Sequence, residues 1–255
     1  MSAAPITQPV TRPTMRDEAW RYADFDAITT FAPEAFDEWR EIDVAAGETF
    51  RECFILDSAA PTLRRIRINV AKGARAEVFA VNAAGDYARV ELAVSLAEGA
   101  HFEFGGVTIG GGDATREFVT RLDHGAPDAT SNQVVRSVHW GQATGNFLGR
   151  IDVGRDGQRT DAAQDFKAVL LERGASANAR PELEIYADDV KCAHGAAIGQ
   201  MDEMARYYMA SRGIAPDIAR ELLIRAFIAD AFAALDDEDA RDGLLEIALK
   251  TLGER

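Results

Sequence analysis

The stretch LRRIRINVAKGARAEVFAVNAAGDYARVELAVSLAEGAHFEF, residues 63–104, decides the fold. Ile66, Ile68 and Val70 alternate with Arg65, Arg67 and Asn69. Val90, Leu92, Val94 and Leu96 alternate with Arg89, Glu91 and Ser95, and Phe102 and Phe104 with His101 and Glu103. An apolar residue at every second position marks a strand with one buried and one wet face. The pattern returns where Leu183, Ile185 and Ala187 alternate with Glu184, Tyr186 and Asp188. From 62 to 195 no stretch has a helical period, which argues against βαβ units. A Gly-Ala pair recurs at Gly73, Gly99, Gly125, Gly174 and Gly195, a spacing of about 24 residues if the longest interval holds two turns. Strands with glycine corners and no helices describe a parallel β-helix, in which each coil buries an inward row against its neighbours. At this level an antiparallel sandwich or barrel stays open as the alternative.

Outside this region the pattern changes. Residues 16–40, RDEAWRYADFDAITTFAPEAFDEWR, read as short helices broken near Pro33, and the Pro- and Thr-rich first dozen residues as a frayed end. After about 200 the period becomes 3.6. Asp202 is placed to cap a helix ending near Ser211, with Gly213 as its stop, and Pro216 suits the first turn of the next. A third helix follows the acidic DDEDARD segment. The expected fold is α+β, mainly β: a short N-terminal helical and capping region (1–60), a right-handed parallel β-helix core (61–199) and a C-terminal helical domain (200–255). The terminal helices are expected to hide the last open edge of the solenoid.

The net charge of −14, from 28 basic and 42 acidic residues, disfavours nucleic acid and anionic membrane surfaces as partners. No apolar run approaches the length of a span, and the N-terminus has no signal-peptide core, so a cytoplasmic protein with reduced thiols is expected. The two cysteines, Cys53 and Cys192, stand 139 positions apart and form no zinc-finger spacing. Any metal or cluster bound by this chain must therefore share its ligands with another chain.

The segment PELEIYADDVKCAHGAAIGQMDE, residues 181–203, carries the chemistry. Cys192 and His194, two apart in a strand, project to one face, and a thiolate beside an imidazole is a soft ligand pair for iron. Lys191 is placed to lower the thiol pKa. By itself a Cys-x-His is more often packing plus a satisfied histidine. Other candidates read as structural: GGVTIGGGD (105–113) as a solenoid corner, His124 as a corner residue, Cys53 in ECFILD as a packed small hydrophobe, and Asp236–Asp239 as a solvated helix start. His139 is a further possible ligand. Asp188 and Asp189 are adjacent carboxylates, the pair a β-helix carbohydrate-active enzyme would need, and adjacent carboxylates in a turn are more often capping groups.

The same segment resembles the signature of the SufD family, a Pro-Glu-Leu-Glu-Ile-x-Ala-Asp-Asp-Val-x-Cys-x-His-Gly run. The resemblance continues through DHGAPDATSNQVVRSV, GNFLGRIDVGRDGQRTDAAQDFKAVLLERGASANA, IGQMDEMARYYMASRGI and ARELLIRAFIADAF, and WRYADFDAI resembles the family's early Trp-Arg-Tyr segment. It is strong over about 121–235; residues 27–120 match only in character. Longer members place a larger helical domain before the β-helix. The resemblance implies a non-enzymatic scaffold in a complex with SufB and two copies of the ATPase SufC. It implies an iron–sulfur cluster assembled transiently near the SufB–SufD interface, with Cys192 and His194 at that interface. It suggests flavin (FAD), which no motif here supports. With it, segment 182–194, including Glu184, Tyr186 and Lys191, is expected to meet SufB, or a second copy in a homodimer when SufB is absent. The surface near Arg220, Arg225 and Phe227 is expected to meet SufC. A carbohydrate-active β-helix enzyme and a purely structural homodimer are the competing readings.

Overall fold

A computed structural model describes residues 11–253; most of the stretch expected to be frayed lies outside them. Between Arg40 and Gly199 the chain winds through six coils of two strands each. The first three are β1 (Arg40–Val44) and β2 (Thr49–Leu56), β3 (Thr62–Val70) and β4 (Arg75–Asn82), and β5 (Tyr87–Leu96) and β6 (His101–Gly110). Then come β7 (Thr115–His124) and β8 (Thr130–His139), β9 (Thr144–Val153) and β10 (Asp161–Leu170), and β11 (Ser176–Ile185) and β12 (Lys191–Gly199). The odd strands form one six-stranded sheet, β1-β3-β5-β7-β9-β11, and the even strands another, β12-β10-β8-β6-β4-β2. Every pairing is parallel and connects one coil to the next, which makes the fold a parallel β-helix.

Two expectations need correction. Strands begin at Arg40 and not near 61: β1 and β2 belong to an end coil, whose charged Arg40, Glu41, Asp43, Arg51 and Glu52 blur the alternation. The repeat is also longer than about 24 residues. Paired side chains on neighbouring coils are 26 apart at Arg51 and Glu77 and 32 apart at Thr144 and Ser176. The Gly-Ala count fails because Gly195 lies inside β12, while two corners place Asp128 (φ 61) and Arg159 (φ 60) in the left-handed region where Gly73 and Gly99 sit earlier. At these two corners an Arg159–Asp128 ion pair, with two contacts of 2.6 Å, stands where glycine was expected.

The inner rows form the main core: Ile66, Leu92, Val78, Phe104, Phe118, Phe147 and Phe166 are wholly buried or nearly so. The outer faces are covered by different units. On the odd-strand sheet, Trp20, Ile28 and Phe36 from the turns and the short helix α1 (Phe25–Thr30) pack with Tyr87. Beneath them Arg89, 0% exposed, donates to Glu91 (2.6 Å), Glu117 (3.1 Å) and the carbonyl of Ala19 (2.7 Å), and lies 3.7 Å from the Trp20 ring. Burial opposes the charge on Arg89, yet the two carboxylates hold its pKa above the ordinary value. Removing one partner of such a cluster leaves a buried charge unpaired and costs several kcal/mol, roughly 3–5.

The even-strand sheet carries the C-terminal helices α2 (Glu203–Ser211), α3 (Pro216–Ala229) and α4 (Glu238–Gly253). Asp202 caps α2 through the amides of Met204 and Ala205, Gly213 follows at φ 81, and Pro216 opens α3, as the sequence predicts. Asp237 accepts the Ala240 amide at the start of α4. Ile224, Ile228, Phe232, Leu235, Leu244 and Leu245 pack on Phe79, Val81, Val107, Ile109 and Val138. The helices therefore lie on a sheet face, against β2, β4, β6 and β8, and do not cover the last edge as expected. The reason is the apolar outer row of β4 and β6, which needs a cover of its own. Gly105 in β6 permits the approach: a side chain there would strike the Ala231 carbonyl and the Phe79 ring. Only the end of the GGVTIGGGD stretch, Gly111–Gly112, is a corner.

His124 and His139 are both 0% exposed. His124 pairs with Ser131 (2.9 Å), and burial holds its pKa at about 4. Burial, then the charge of Arg116, holds His139 at about 3. Both folded values lie below the unfolded value of 6.5. Below 6.5 the unfolded chain binds protons that the folded chain refuses, so stability is intact above that pH and falls as pH drops toward 4. From pH 7 to pH 5 each histidine should remove about 2 kcal/mol. Urea midpoints measured at the two pH values should show this loss, and His124→Gln should reduce the slope.

Candidate functional site

β11 ends one sheet and β12 the other, so the sixth coil presents strand edges with no further strand beside them among the described residues. On β12, Cys192 lies beside Ala162, His194 beside Gln164 and Ala196 beside Phe166. Ala162, Gln164 and Phe166 are buried inner-row residues, so the two-residue spacing puts Cys192 and His194 in the inner row of the terminal coil. Cys192 is half-buried against the core, and His194 is exposed. The row that ends at His194 turns polar on the way, running Val78, Phe104, Gln133, Gln164, His194. Gln164 crosses the interior and donates from Nε2 to the Glu182 carbonyl of β11 (3.2 Å), tying the two sheets beneath the site.

The expected acidifying effect of Lys191 does not occur. Burial raises the Cys192 pKa, Asp161 raises it further, and a backbone hydrogen bond involving Ala162 opposes them. Lys191 projects to the outer side of β12, away from the thiol, because adjacent strand residues face opposite ways. Cys53 is not the packed small hydrophobe that its sequence context suggests. It is exposed, because Phe54 and Leu56 take the inward positions of β2 and the helices cover its row neighbour Phe79 without reaching it. Asp188 and Asp189 sit exposed in the loop before β12, where the Asp189 carbonyl accepts the Arg159 amide (2.6 Å).

Glu184 lies on β11 and Tyr186 just past it; the Tyr186 hydroxyl and Arg150 both donate to Glu184. Tyr186 is 61% exposed and Ile198, at the end of β12, 45%. Cys192, His194, Lys191, Glu184 and Tyr186 thus share one end of the solenoid. Arg220, Arg225 and Phe227 lie elsewhere, on α3. Phe227 is half-buried in the helical core, Arg220 half-buried and Arg225 exposed. The large exposed apolar residues of the helices are instead Met204, Tyr207 and Tyr208 on α2 and Ile218 and Leu222 on α3.

One residue that sequence reasoning missed joins the two regions. Arg136 of β8, 2% exposed, donates to Asp230 just after α3 and to Asp165 of β10 (2.5 Å). Asp165 lies beside Gly195 of β12. Its place in VVRSV gave no signal, since both acidic partners are remote in sequence.

Among the described residues no group of three or more His, Cys, Asp or Glu side chains could hold a metal ion. Cys192 and His194 offer one sulfur and one nitrogen donor at an open end, which suits part of a ligand set completed from outside. No helix among the described residues is long and apolar enough to cross a membrane.

The family described as "SUF system FeS cluster assembly, SufBD core domain" matches residues 50–227. The chain is 35% identical over 136 residues to the iron-sulfur cluster assembly protein SufD of Escherichia coli (strain K12), covering 53% of this chain and 31% of that protein. It is 38% identical over 124 residues to protein ABCI7, chloroplastic, of Arabidopsis thaliana, covering 48% and 25%. It is 33% identical over 157 residues to the iron-sulfur cluster assembly SufBD family protein slr0076 of Synechocystis sp., covering 61% and 35%. The matched part is thus between a quarter and about a third of each relative.

With Cys53 replaced by serine, Cys192 should react slowly with iodoacetamide at pH 7 and faster as pH rises. Asp161→Asn should speed the reaction at pH 8 roughly two- to threefold, by removing a charge that raises the thiol pKa. Lys191→Ala should leave the rate unchanged. Mass spectrometry of the alkylated peptide follows all three.

Proposed function

The chain belongs to the SufBD core family of the SUF iron–sulfur cluster system, and on that premise we propose that it is a scaffold subunit that pairs through its last coil with a SufB-like subunit. In the absence of that subunit it pairs with a second copy of itself. The observation that carries this reading is the terminal strand β12, which combines an unpaired edge with Cys192 and His194 in its inner row. A partner strand laid on that edge adds main-chain hydrogen bonds, and its own side chains continue the inner rows. In a two-fold contact the two copies of the segment face each other. The nascent iron–sulfur cluster, here the cargo, then assembles where Cys192 and His194 meet donors from the partner. His194 binds as neutral imidazole and Cys192 as thiolate, so ligation must overcome the raised thiol pKa, which metal binding does by displacing the proton.

The ATPase is a SufC-like subunit docked on the C-terminal helices. Met204, Tyr207, Tyr208, Ile218 and Leu222 supply exposed apolar surface on α2 and α3, flanked by Arg220 and Arg225. Phe227 is half-buried against the helical core. Arg136, through Asp230 and Asp165, connects the docking helices to the strand beside β12.

Replacing His194 with alanine should preserve the subunit composition of the reconstituted complex on gel filtration and lower its acid-labile iron and sulfide. Unchanged iron and sulfide would remove the ligand role. For docking, Tyr207→Asp combined with Leu222→Asp should weaken binding of the ATPase at least tenfold, about 1.4 kcal/mol, by titration calorimetry. Phe227→Asp should lower the melting temperature as well, since its ring is half-buried in the helical core.

A further inference from the structure

The two ends of the solenoid are chemically unlike. At the last coil the inner rows hold no Asp, Glu, Lys or Arg: Ala179, Leu183, Cys192 and Ala196 are small or apolar, His194 is polar, and Ile198 is exposed at 45%. At the other end of the solenoid three inner-row positions are charged instead, Arg40 and Glu52 in the first coil and Arg64 in the second, where its row begins. Arg40 lies beside Ile66, Glu52 beside Val78 and Arg64 beside Val90, and all three of those neighbours are 0% exposed. The three charges bind one another: Arg40 and Arg64 each lie 2.6 Å from Glu52. The Arg64 guanidinium lies 3.9 Å from the centre of the Phe54 ring, and Phe54 is only 8% exposed although its coil is terminal.

We propose that Arg40, Glu52 and Arg64 form a plug that closes the first coil to strand addition, so that the solenoid has a single contact end and its assemblies stop at a pair. An unplugged solenoid has two stackable ends, and a last-coil to first-coil contact is head-to-tail. Such a contact does not close and grows into a filament. Stacking another coil on the first would bury the triad under a neighbour that offers the solvated atoms of Arg40 and Arg64 no partner, which is costly for charged groups. Charges pointing inward at a terminal strand are a known means of keeping a sheet edge from pairing. The inference rests on the reading that the last coil is the pairing surface, and it identifies the partner of that surface as another last coil.

The test replaces each plug residue with its row neighbour from the next coil: Arg40→Ile, Glu52→Val and Arg64→Val together. Sedimentation velocity is run on the intact chain over a range of concentrations. The wild-type chain should reach a dimer and stop. The triple variant, folded by circular dichroism, should form species larger than a dimer whose size grows with concentration. Adding Ala196→Arg at the last coil should return those species to a dimer or smaller. A folded triple variant with the wild-type mass distribution would overturn the proposal. If the triple variant does not fold, Glu52→Gln, a neutral near-isostere, is measured instead. Growth beyond the dimer supports the plug, and a folded Glu52→Gln chain identical to wild type at all concentrations overturns it. A wild-type dimer that survives Ala196→Arg alone would leave the plug standing and remove the last coil as the pairing surface.

Discussion

Everything in this molecule depends on parallel, in-register stacking of one coil on the next. A residue placed inside one coil lies directly beside its counterparts in the coils before and after, so each inner position becomes a row along the axis. Rows of Ile, Leu, Val and Phe bury apolar surface at about 25 cal/mol per Å², and their burial repeats from coil to coil without a helix inside the fold. The same rule leaves two coils with a neighbour on one side only. How the chain treats those ends determines what it can assemble with.

The two outer faces are closed by unlike means. On the odd-strand sheet a buried charged cluster, Arg89 with Glu91 and Glu117, holds the N-terminal segment through the Ala19 carbonyl and the Trp20 ring. On the even-strand sheet closure is apolar, with Phe79 and Phe232 ring centres 6.5 Å apart and Gly105 letting the backbone of Ala231 come close. Arg136 adds a single polar tie there between helix, β8 and β10. Once both faces are covered, the edges of the first and sixth coils are what the fold leaves unpaired among the described residues.

The candidate site follows from parity. Cys192 and His194 belong to the row that would be interior had another coil followed, so they are half-buried and exposed at once: shielded by Ala162 and Gln164 beneath, open above. Such a position keeps a thiol protonated in the free chain and makes it available once a partner covers it. It also explains why Lys191, next in sequence, has no influence on the thiol: it faces the other side of the strand.

The sequence by itself determined the strand period, the absence of helices between the strands, the three C-terminal helices with their Asp202 cap and Pro216 start, and the Cys192–His194 pair. These are local signals, written in alternation, capping chemistry and spacing. The tertiary structure decided what depends on residues far apart in the chain. It set the true coil length, since Asp128 and Arg159 turn corners where glycine was expected. It put the helices on a sheet face and not over the last edge, because the outer row of β4 and β6 is apolar only when seen in register. It exposed Cys53, raised the Cys192 pKa through burial and Asp161, and joined Arg136 to Asp230 across 94 positions. Alternation tells which residues share a face of a strand; only the stacking of coils tells which face is covered, by what, and where the stack ends.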